Sequence, residues 1–187
     1  MSYNISLAIL AVLLGYFFLQ INNKVFKVII GFFWLLFLPN TIYIFTDLLH
    51  IIDQWVEVAG FEKIILFVQY AVLEIIGAVT FILASRPFEV FLQRIRFGKN
   101  EKVFLIILFN FLIAFGILLG RVERINSWDV LFAIHKVWEA TVNIFTAFEL
   151  IGLMLLIGLF CNFFYFLFRD PIFRLFQKFM GSLTKER

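Results

Sequence analysis

The chain has 187 residues, a formal net charge of +3, 63% hydrophobic residues and only 16% charged ones. Soluble domains usually have about 45–50% apolar and about 25% charged residues, so this excess of apolar residues points to a lipid surrounding. The composition excludes a disordered chain, a soluble enzyme and a nucleic-acid-binding domain as the main interpretation. The single cysteine, Cys161, excludes a disulfide framework and a paired-cysteine metal site.

Five apolar stretches are long enough to cross a membrane as helices. A bilayer core of about 30 Å needs roughly 17–25 apolar residues in helical form. We therefore expect an all-α fold, a polytopic helical bundle with five transmembrane helices in one membrane domain over residues 1–187. The predicted spans are residues 5–21, 28–45, 64–84, 103–120 and 148–168.

The basic residues predict the orientation of these spans. Lysines and arginines favour the cytoplasmic side, and twelve of the 16 lie after the first, third and fifth spans. We expect the N-terminus to lie outside and the C-terminus in the cytoplasm. Apolar residues at helical spacing beside basic ones further predict two interfacial amphipathic helices on the inner leaflet. Their apolar residues are Phe88, Phe91, Leu92 and Ile95, and Phe173, Phe176 and Phe179.

The second span contains a proline that predicts a kink near its outer end. Pro39 lacks a backbone N–H, and Asn40 follows it where a freed carbonyl needs a partner. Beyond the kink, four polar residues at spacings of three and four share one face of an interfacial helix. This face is either a solvated stripe or the lining of an outer cavity, and its residues are Asp47, His50, Gln54 and Glu57.

A second unusual segment begins where the fourth span ends. Gly116 and Gly120 form a step of small residues that lets another helix approach closely. Arg121 and Arg124, three residues apart, are expected to point the same way.

A helix is expected to follow this segment. Asn126 or Ser127 is a suitable N-cap, with Asp129 in the first turn. Two arginines beside a helix N-terminus favour binding of a phosphate or carboxylate. The alternative is that the arginines pair internally, with Asp47, Glu123 or Asp129.

These two segments carry a family resemblance. LPNTIYIFTDLLH at 38–50 and GILLGRVERINSWDV at 116–130 together resemble a bacterial membrane family catalogued as domain of unknown function 1361. The resemblance implies a protein of a bacterial plasma membrane and implies that the motif residues form one site, but it implies no chemistry. The family pattern often lacks a hydroxyl at the position of Thr41, which argues against a nucleophilic role there, and often has an aromatic at that of Ile125. The motif residues are Pro39, Asn40, Tyr43, Asp47, His50, Gly120, Arg121, Arg124, Asn126, Ser127, Trp128 and Asp129.

Two polar residues lie near the middle of the membrane. Glu74 is central in the third span and Asn110 in the fourth. A charged carboxylate facing lipid costs roughly 2.5 kcal/mol or more, so we expect Glu74 to turn inward and to bond with Asn110. The pair is either structural or part of a path for protons or substrate.

Three functions remain open. The first is binding of a lipid headgroup or another anion at the outer face, with His50, Asp47 and His135 as candidate catalytic residues should the protein be an enzyme. The second is a small proton-coupled transporter that uses Glu74, and the third a non-catalytic accessory subunit. Asp47, His50, Asp129 and His135 fit no standard metal site, so we expect no metal and no cofactor. The expected partners are membrane lipids and not nucleic acid, while a partner membrane subunit or a homo-oligomer stays open.

Overall fold

The structure is a computed structural model that describes the backbone of residues 2–46 and 50–185 and the side chains of 4–43, 51 and 54–178. No β-strand occurs in those ranges, so the predicted all-α fold is confirmed. The helices in chain order are α1 (Ser2–Gln20), α2 (Lys24–Phe37), α3 (Asn40–Thr46), α4 (His50–Glu57), α5 (Phe61–Gln93), α6 (Lys99–Arg121), α7 (Asp129–Phe132), α8 (Ile134–Thr146) and α9 (Phe148–Lys185).

In the described part of the chain, four segments are long and apolar enough to cross a membrane, which confirms a polytopic membrane bundle. They are Lys24–Tyr43, Phe61–Gln93, Lys99–Arg121 and Phe148–Lys178, and they contain most of the second to fifth predicted spans. The first predicted span forms the shorter apolar helix Asn4–Gln20. This length is near the lower limit of about 17 residues for a crossing, so a fifth span stays a prediction.

The prediction of two separate amphipathic helices on the inner leaflet is wrong. α5 continues through Pro87 and α9 through Pro171, each as one helix. Phe88 stacks on Phe109 with ring centroids 4.1 Å apart, and Phe173 lies in the buried core. The spacing that predicted a membrane surface is therefore the core-facing stripe of two long helices.

Trp34 joins α2 to α5 close to the proline of α5. Its indole N–H donates to the Ala84 carbonyl at 2.9 Å, and the side chain is buried. α1 approaches the same place through Gly15, where an added Cβ would lie 2.8 Å from the Pro87 ring. The three helices therefore meet where the glycine of α1 lies against Trp34 of α2 and Pro87 of α5.

A buried pair of amides joins α6 to α9. Nδ2 of Asn110 donates to Oδ1 of Asn162 at 3.0 Å, and Nδ2 of Asn162 donates to the Gly158 carbonyl at 2.8 Å. The predicted bond between Asn110 and Glu74 is wrong, because α6 packs mainly on α9 and much less on α5. The Oε1 atom of Glu74 is buried and the residue as a whole is half-buried, so the inward orientation of this side chain stays a prediction.

A charged cluster that the sequence analysis did not identify lies near the end of α5. Glu89 accepts a hydrogen bond from the Tyr165 hydroxyl at 2.8 Å and forms an ion pair with Arg86 at 2.8 Å. Arg169 of α9 lies 3.9 Å from the same carboxylate. One acidic side chain therefore connects the two long helices.

Candidate functional site

The site begins at the helix break around Pro39. α2 ends at Phe37 and α3 begins at Asn40, so the predicted kink is confirmed as a full interruption. The Thr41 N–H, which would bond to Phe37 in a continuous helix, donates to Leu38 instead. The break therefore leaves carbonyls of the last turn of α2 in need of partners.

Two side chains supply partners to these carbonyls. Nδ2 of Asn40 donates to the Phe37 carbonyl at 2.9 Å, as the sequence predicts. The hydroxyl of Ser127, which belongs to the second segment, lies 3.4 Å from the Leu36 carbonyl. The two segments are thus joined through the backbone atoms that the proline released.

The small residues of α6 allow this close contact. An added Cβ at Gly116 would lie 2.5 Å from the Pro39 ring, and one at Gly120 would overlap the Tyr43 hydroxyl. The Tyr43 hydroxyl donates to the Gly116 carbonyl at 3.2 Å. The predicted role of this step, close approach of another helix, is confirmed, and the approaching segment is Pro39–Tyr43.

Arg121 lies on the same tyrosine. Its Nη2 atom donates to the Tyr43 carbonyl at 2.9 Å, and its guanidinium carbon lies 5.0 Å from the centre of the Tyr43 ring. The carbonyl contact and the cation–π contact hold the guanidinium beside α3. The structure therefore brings Arg121 to the residues of the first segment.

The turn after α6 separates the second arginine from the first. α6 ends at Arg121, and Arg124 has a left-handed backbone with φ of 57°. The helix does not continue to Arg124, so the prediction that Arg121 and Arg124 point the same way is wrong. Arg124 is exposed and is not among the lining residues of the cavities described below.

The cap of the following helix also differs from the prediction. Trp128 occupies the N-cap position of α7, in place of the expected Asn126 or Ser127. Asp129 lies in the first turn as predicted, and its carboxylate accepts a hydrogen bond from the Asn126 backbone N–H at 2.8 Å. This bond closes the turn that places Asn126 and Ser127 near α3.

A polar pocket of about 190 Å³ lies between the two segments. Its polar side chains come from both segments and from the start of α1. Asn4 and the neighbouring Leu7 are contributions that the sequence analysis missed, and an isolated asparagine at the beginning of an apolar helix gave no signal for them. The polar lining residues are Asn4, Asn40, Tyr43, Arg121, Asn126, Ser127 and Trp128.

An apolar groove of about 310 Å³ adjoins the polar pocket. It lies between α2 and α6 and is lined by side chains such as Phe32, Leu35 and Leu112. The sequence analysis missed this groove, because the residues that line it look like any other lipid-facing positions. The pocket and the groove share five lining residues, which are Tyr43, Gly120, Ile125, Asn126 and Ser127.

The remaining candidate residues divide into two groups. Asp47 and the side chain of His50 lie outside the part of the chain that the structure describes, so their predicted place in the site stays a prediction. His135 is exposed on α8 and is not among the residues that line the polar pocket. Among the side chains that are described, no three histidine, cysteine or acidic residues come together as a metal site would require.

The family comparison covers both segments. The family model described as Protein of unknown function (DUF1361) matches residues 3–164. No curated protein and no solved structure gave a significant match. The matched range covers most of the chain, including the helix break and the small-residue step, so this chain belongs to the family described as Protein of unknown function (DUF1361).

Proposed function

We propose that the protein binds the phosphate headgroup of an anionic lipid, with the headgroup in the polar pocket and the hydrocarbon tail in the apolar groove. The observation that supports this proposal is the shared lining of the two cavities, from Tyr43 and Gly120 to Ser127. A lipid has a polar and an apolar part joined by covalent bonds, so its site needs such a junction. A free anion has no hydrocarbon part and would not occupy the apolar groove.

The charge of the pocket favours an anion. Of its described lining residues, Arg121 alone carries a formal charge. A guanidinium presents N–H donors in a plane that matches the oxygens of a phosphate. Trp128 and Asn126 add neutral donors at the same opening.

The groove offers the tail direct access from the bilayer. Phe32, Leu35 and Leu112 line it, and their side chains are 40%, 41% and 53% exposed. In a membrane these exposed apolar surfaces face hydrocarbon. With the orientation that the basic residues predict, the headgroup would lie at the outer face of a bacterial plasma membrane.

The experiment compares two arginine variants of the full-length protein in detergent. Arg121→Gln and Arg124→Gln remove the same charge from the same short segment, and only the first residue lines the pocket. We expect Arg121→Gln to weaken binding of phosphatidate about tenfold, which corresponds to about 1.4 kcal/mol, and Arg124→Gln to leave it unchanged. Native mass spectrometry can follow both.

Two results would contradict the proposal. Equal effects of the two variants would show that the Arg121 pocket is not the headgroup site. Competition by inorganic phosphate at the same concentration as phosphatidate would show a site for free anions, since the tail would then contribute nothing. Phosphatidylcholine serves as the lipid of similar shape without net charge.

The other functions lack comparable support. The transporter hypothesis is based on Glu74 and Asn110 near the middle of the membrane, and the Asn110 amide donates to Asn162. That hypothesis and the accessory-subunit hypothesis stay predictions, as does any catalytic role of Asp47, His50 or His135.

A further inference from the structure

Three asparagine side chains line the polar pocket beside Arg121. Asn4 comes from the start of α1, Asn40 from the start of α3 and Asn126 from the turn after α6. We call these three residues the amide cluster. Each amide combines N–H donors with a carbonyl acceptor, whereas an ionised phosphate offers acceptors only. A phosphate at Arg121 therefore does not account for the acceptor oxygens of the amide cluster.

The amide of Asn126 is available to a ligand. The backbone N–H of this residue donates to Asp129, while its side chain is exposed and has no hydrogen-bond partner in the described part of the chain. Asn126 lines both cavities, whereas Asn4 lines the polar pocket and not the apolar groove. The amide cluster therefore extends from the junction of the two cavities into the part of the pocket that the proposed tail does not enter.

The charge of the pocket lining fits a headgroup with one negative charge and no positive one. Arg121 is the only charged residue among the described lining residues, so an ammonium group would meet a cation and no carboxylate there. A phosphate monoester carries a charge of about −1.5 to −2 at neutral pH, and a diester carries a single negative charge. One guanidinium therefore balances the charge of a phosphodiester.

The volume of the pocket leaves room for more than a phosphate. About 190 Å³ is the volume of roughly six water molecules in the liquid, at about 30 Å³ each. A phosphate group has fewer heavy atoms than this, and its covalently bonded atoms occupy less volume than separate water molecules. A further polar part of the ligand therefore fits beside the phosphate, next to the amide cluster.

We propose that the headgroup is a phosphodiester whose second alcohol carries hydroxyl groups, the chemistry of phosphatidylglycerol. The phosphate binds at Arg121, and the hydroxyls bond to the amide cluster. A hydroxyl matches an amide because it donates and accepts at once, whereas an ammonium only donates. This inference rests on the proposed headgroup site and adds the class of the headgroup.

The test compares two lipids that have the same charge and the same number of headgroup carbons. Phosphatidylglycerol has free hydroxyls in its headgroup, and phosphatidylpropanol has none. We expect the full-length protein in detergent to bind phosphatidylglycerol about fivefold more tightly by native mass spectrometry, which is the effect of about one net hydrogen bond. Phosphatidylethanolamine, whose ammonium group only donates, should bind more weakly than either.

Two variants remove amides from different parts of the pocket. Asn4→Ala and Asn126→Ala should each reduce the preference for phosphatidylglycerol, and the double variant should abolish it, while binding of phosphatidylpropanol stays unchanged. Both side chains are at least partly exposed, so these changes leave the packing of the bundle intact. Asn100→Ala is the matched control, because Asn100 is exposed and does not line the pocket, and it should keep the preference.

The outcomes separate this inference from the proposed function. Equal binding of phosphatidylglycerol and phosphatidylpropanol, with Arg121→Gln weakening both, would reject the hydroxylated headgroup alone. A preference that survives in the double variant would also reject it, as would phosphatidylethanolamine binding as tightly as phosphatidylglycerol. Arg121→Gln without effect on either anionic lipid would instead reject the headgroup site. Full competition by water-soluble glycerophosphoglycerol would reject a lipid as the ligand and assign the pocket to a free phosphodiester.

Discussion

Tyr43 has contacts of three kinds with α6. Its hydroxyl bonds to the Gly116 carbonyl, its carbonyl accepts from Arg121, and its ring lies under the Arg121 guanidinium. These contacts depend on the absence of a side chain at Gly120. The position of Arg121 is therefore set by a residue that carries no functional group.

Gly120→Ala tests this dependence. The new methyl group would overlap the Tyr43 hydroxyl and push α3 away from α6. Overpacking of this kind costs about 1–3 kcal/mol, which outweighs the gain of about 1 kcal/mol expected from alanine in a helix. We expect a lower free energy of unfolding in detergent and loss of lipid phosphate binding.

Gly152→Ala is the matched control for this variant. An added Cβ at Gly152 of α9 meets nothing within 4 Å. We expect equal or slightly higher stability, because alanine favours the helix. Equal behaviour of the two variants would show that the step at Gly120 does not position Tyr43.

Some contacts of single residues could be predicted and others could not. The bond from Asn40 to a freed carbonyl follows from local backbone chemistry, and it was predicted correctly. The backbone of Arg124 has a left-handed conformation, which does not occur inside an α-helix. A spacing rule that assumes a continuous helix cannot detect this conformation. Asn4 reaches the pocket only through the packing of α1, which has no trace in the local sequence.

At the scale of helices, the amide pair of Asn110 and Asn162 is the polar contact that joins α6 to α9. We expect Asn110→Ala to lower the free energy of unfolding by about 1–2 kcal/mol, since hydrogen bonds between membrane helices contribute about 0.6 and up to about 1.7 kcal/mol. Asn162→Ala combined with it should cost less than the sum of the two single changes.

Asn100→Ala provides the control for the amide pair. Asn100 is exposed near the start of the same helix, so this change should leave the stability nearly unchanged. Additive effects of Asn110→Ala and Asn162→Ala in chemical unfolding would show that the two amides do not couple.

Glu89 connects α5 to α9 at the other cluster of charges. Glu89→Gln removes the partner of Arg86 and Arg169 but keeps an oxygen that accepts from Tyr165. The three charged side chains are 16–28% exposed, so we expect a cost nearer the value for surface pairs, about 1 kcal/mol, than the value for buried pairs.

The exposed Glu139→Gln should not change the melting temperature and serves as the control for this variant. A melting temperature of Glu89→Gln equal to that of the wild type would show that Glu89 does not hold the two helices together.

The boundaries of the elements were harder to predict than their existence. Apolar runs located four of the spans, because a helix in lipid has to be apolar over roughly 17 residues or more. The ends of α5 and α9 were predicted to be separate surface helices. An apolar stripe beside basic residues has the same spacing whether it faces a membrane surface or the core of a helical bundle.

At the scale of the whole molecule, the orientation in the membrane can be measured with single cysteines. We expect Ser2→Cys to react with an impermeant maleimide added outside intact cells, and Ser182→Cys to react only after the membrane is opened. The basic residues after the first, third and fifth predicted spans are the physical reason. The wild type gives the background, since Cys161 is fully buried. Labelling of Ser182→Cys in intact cells would reverse the orientation.

The class of the molecule was predictable from the whole sequence, but the shape of its cavities was not. Composition and apolar runs suffice for a membrane-helical bundle, because lipid requires them at every span. The polar pocket and the apolar groove depend on which helices are neighbours, and α6 packs more extensively on α9 than on α5, which precedes it in the chain. Residues such as Gly158 and Asn162 determine which helices pack against each other, and the partners of these residues are distant in the chain.

An experimental structure of the full chain in a nanodisc that contains phosphatidate tests the central claim most directly. We predict density for the phosphate within hydrogen-bond distance of the Arg121 guanidinium, continuous with density for a tail between Leu35 of α2 and Leu112 of α6. A phosphate bound elsewhere on the protein, with only ordinary lipid beside Arg121, would contradict the account.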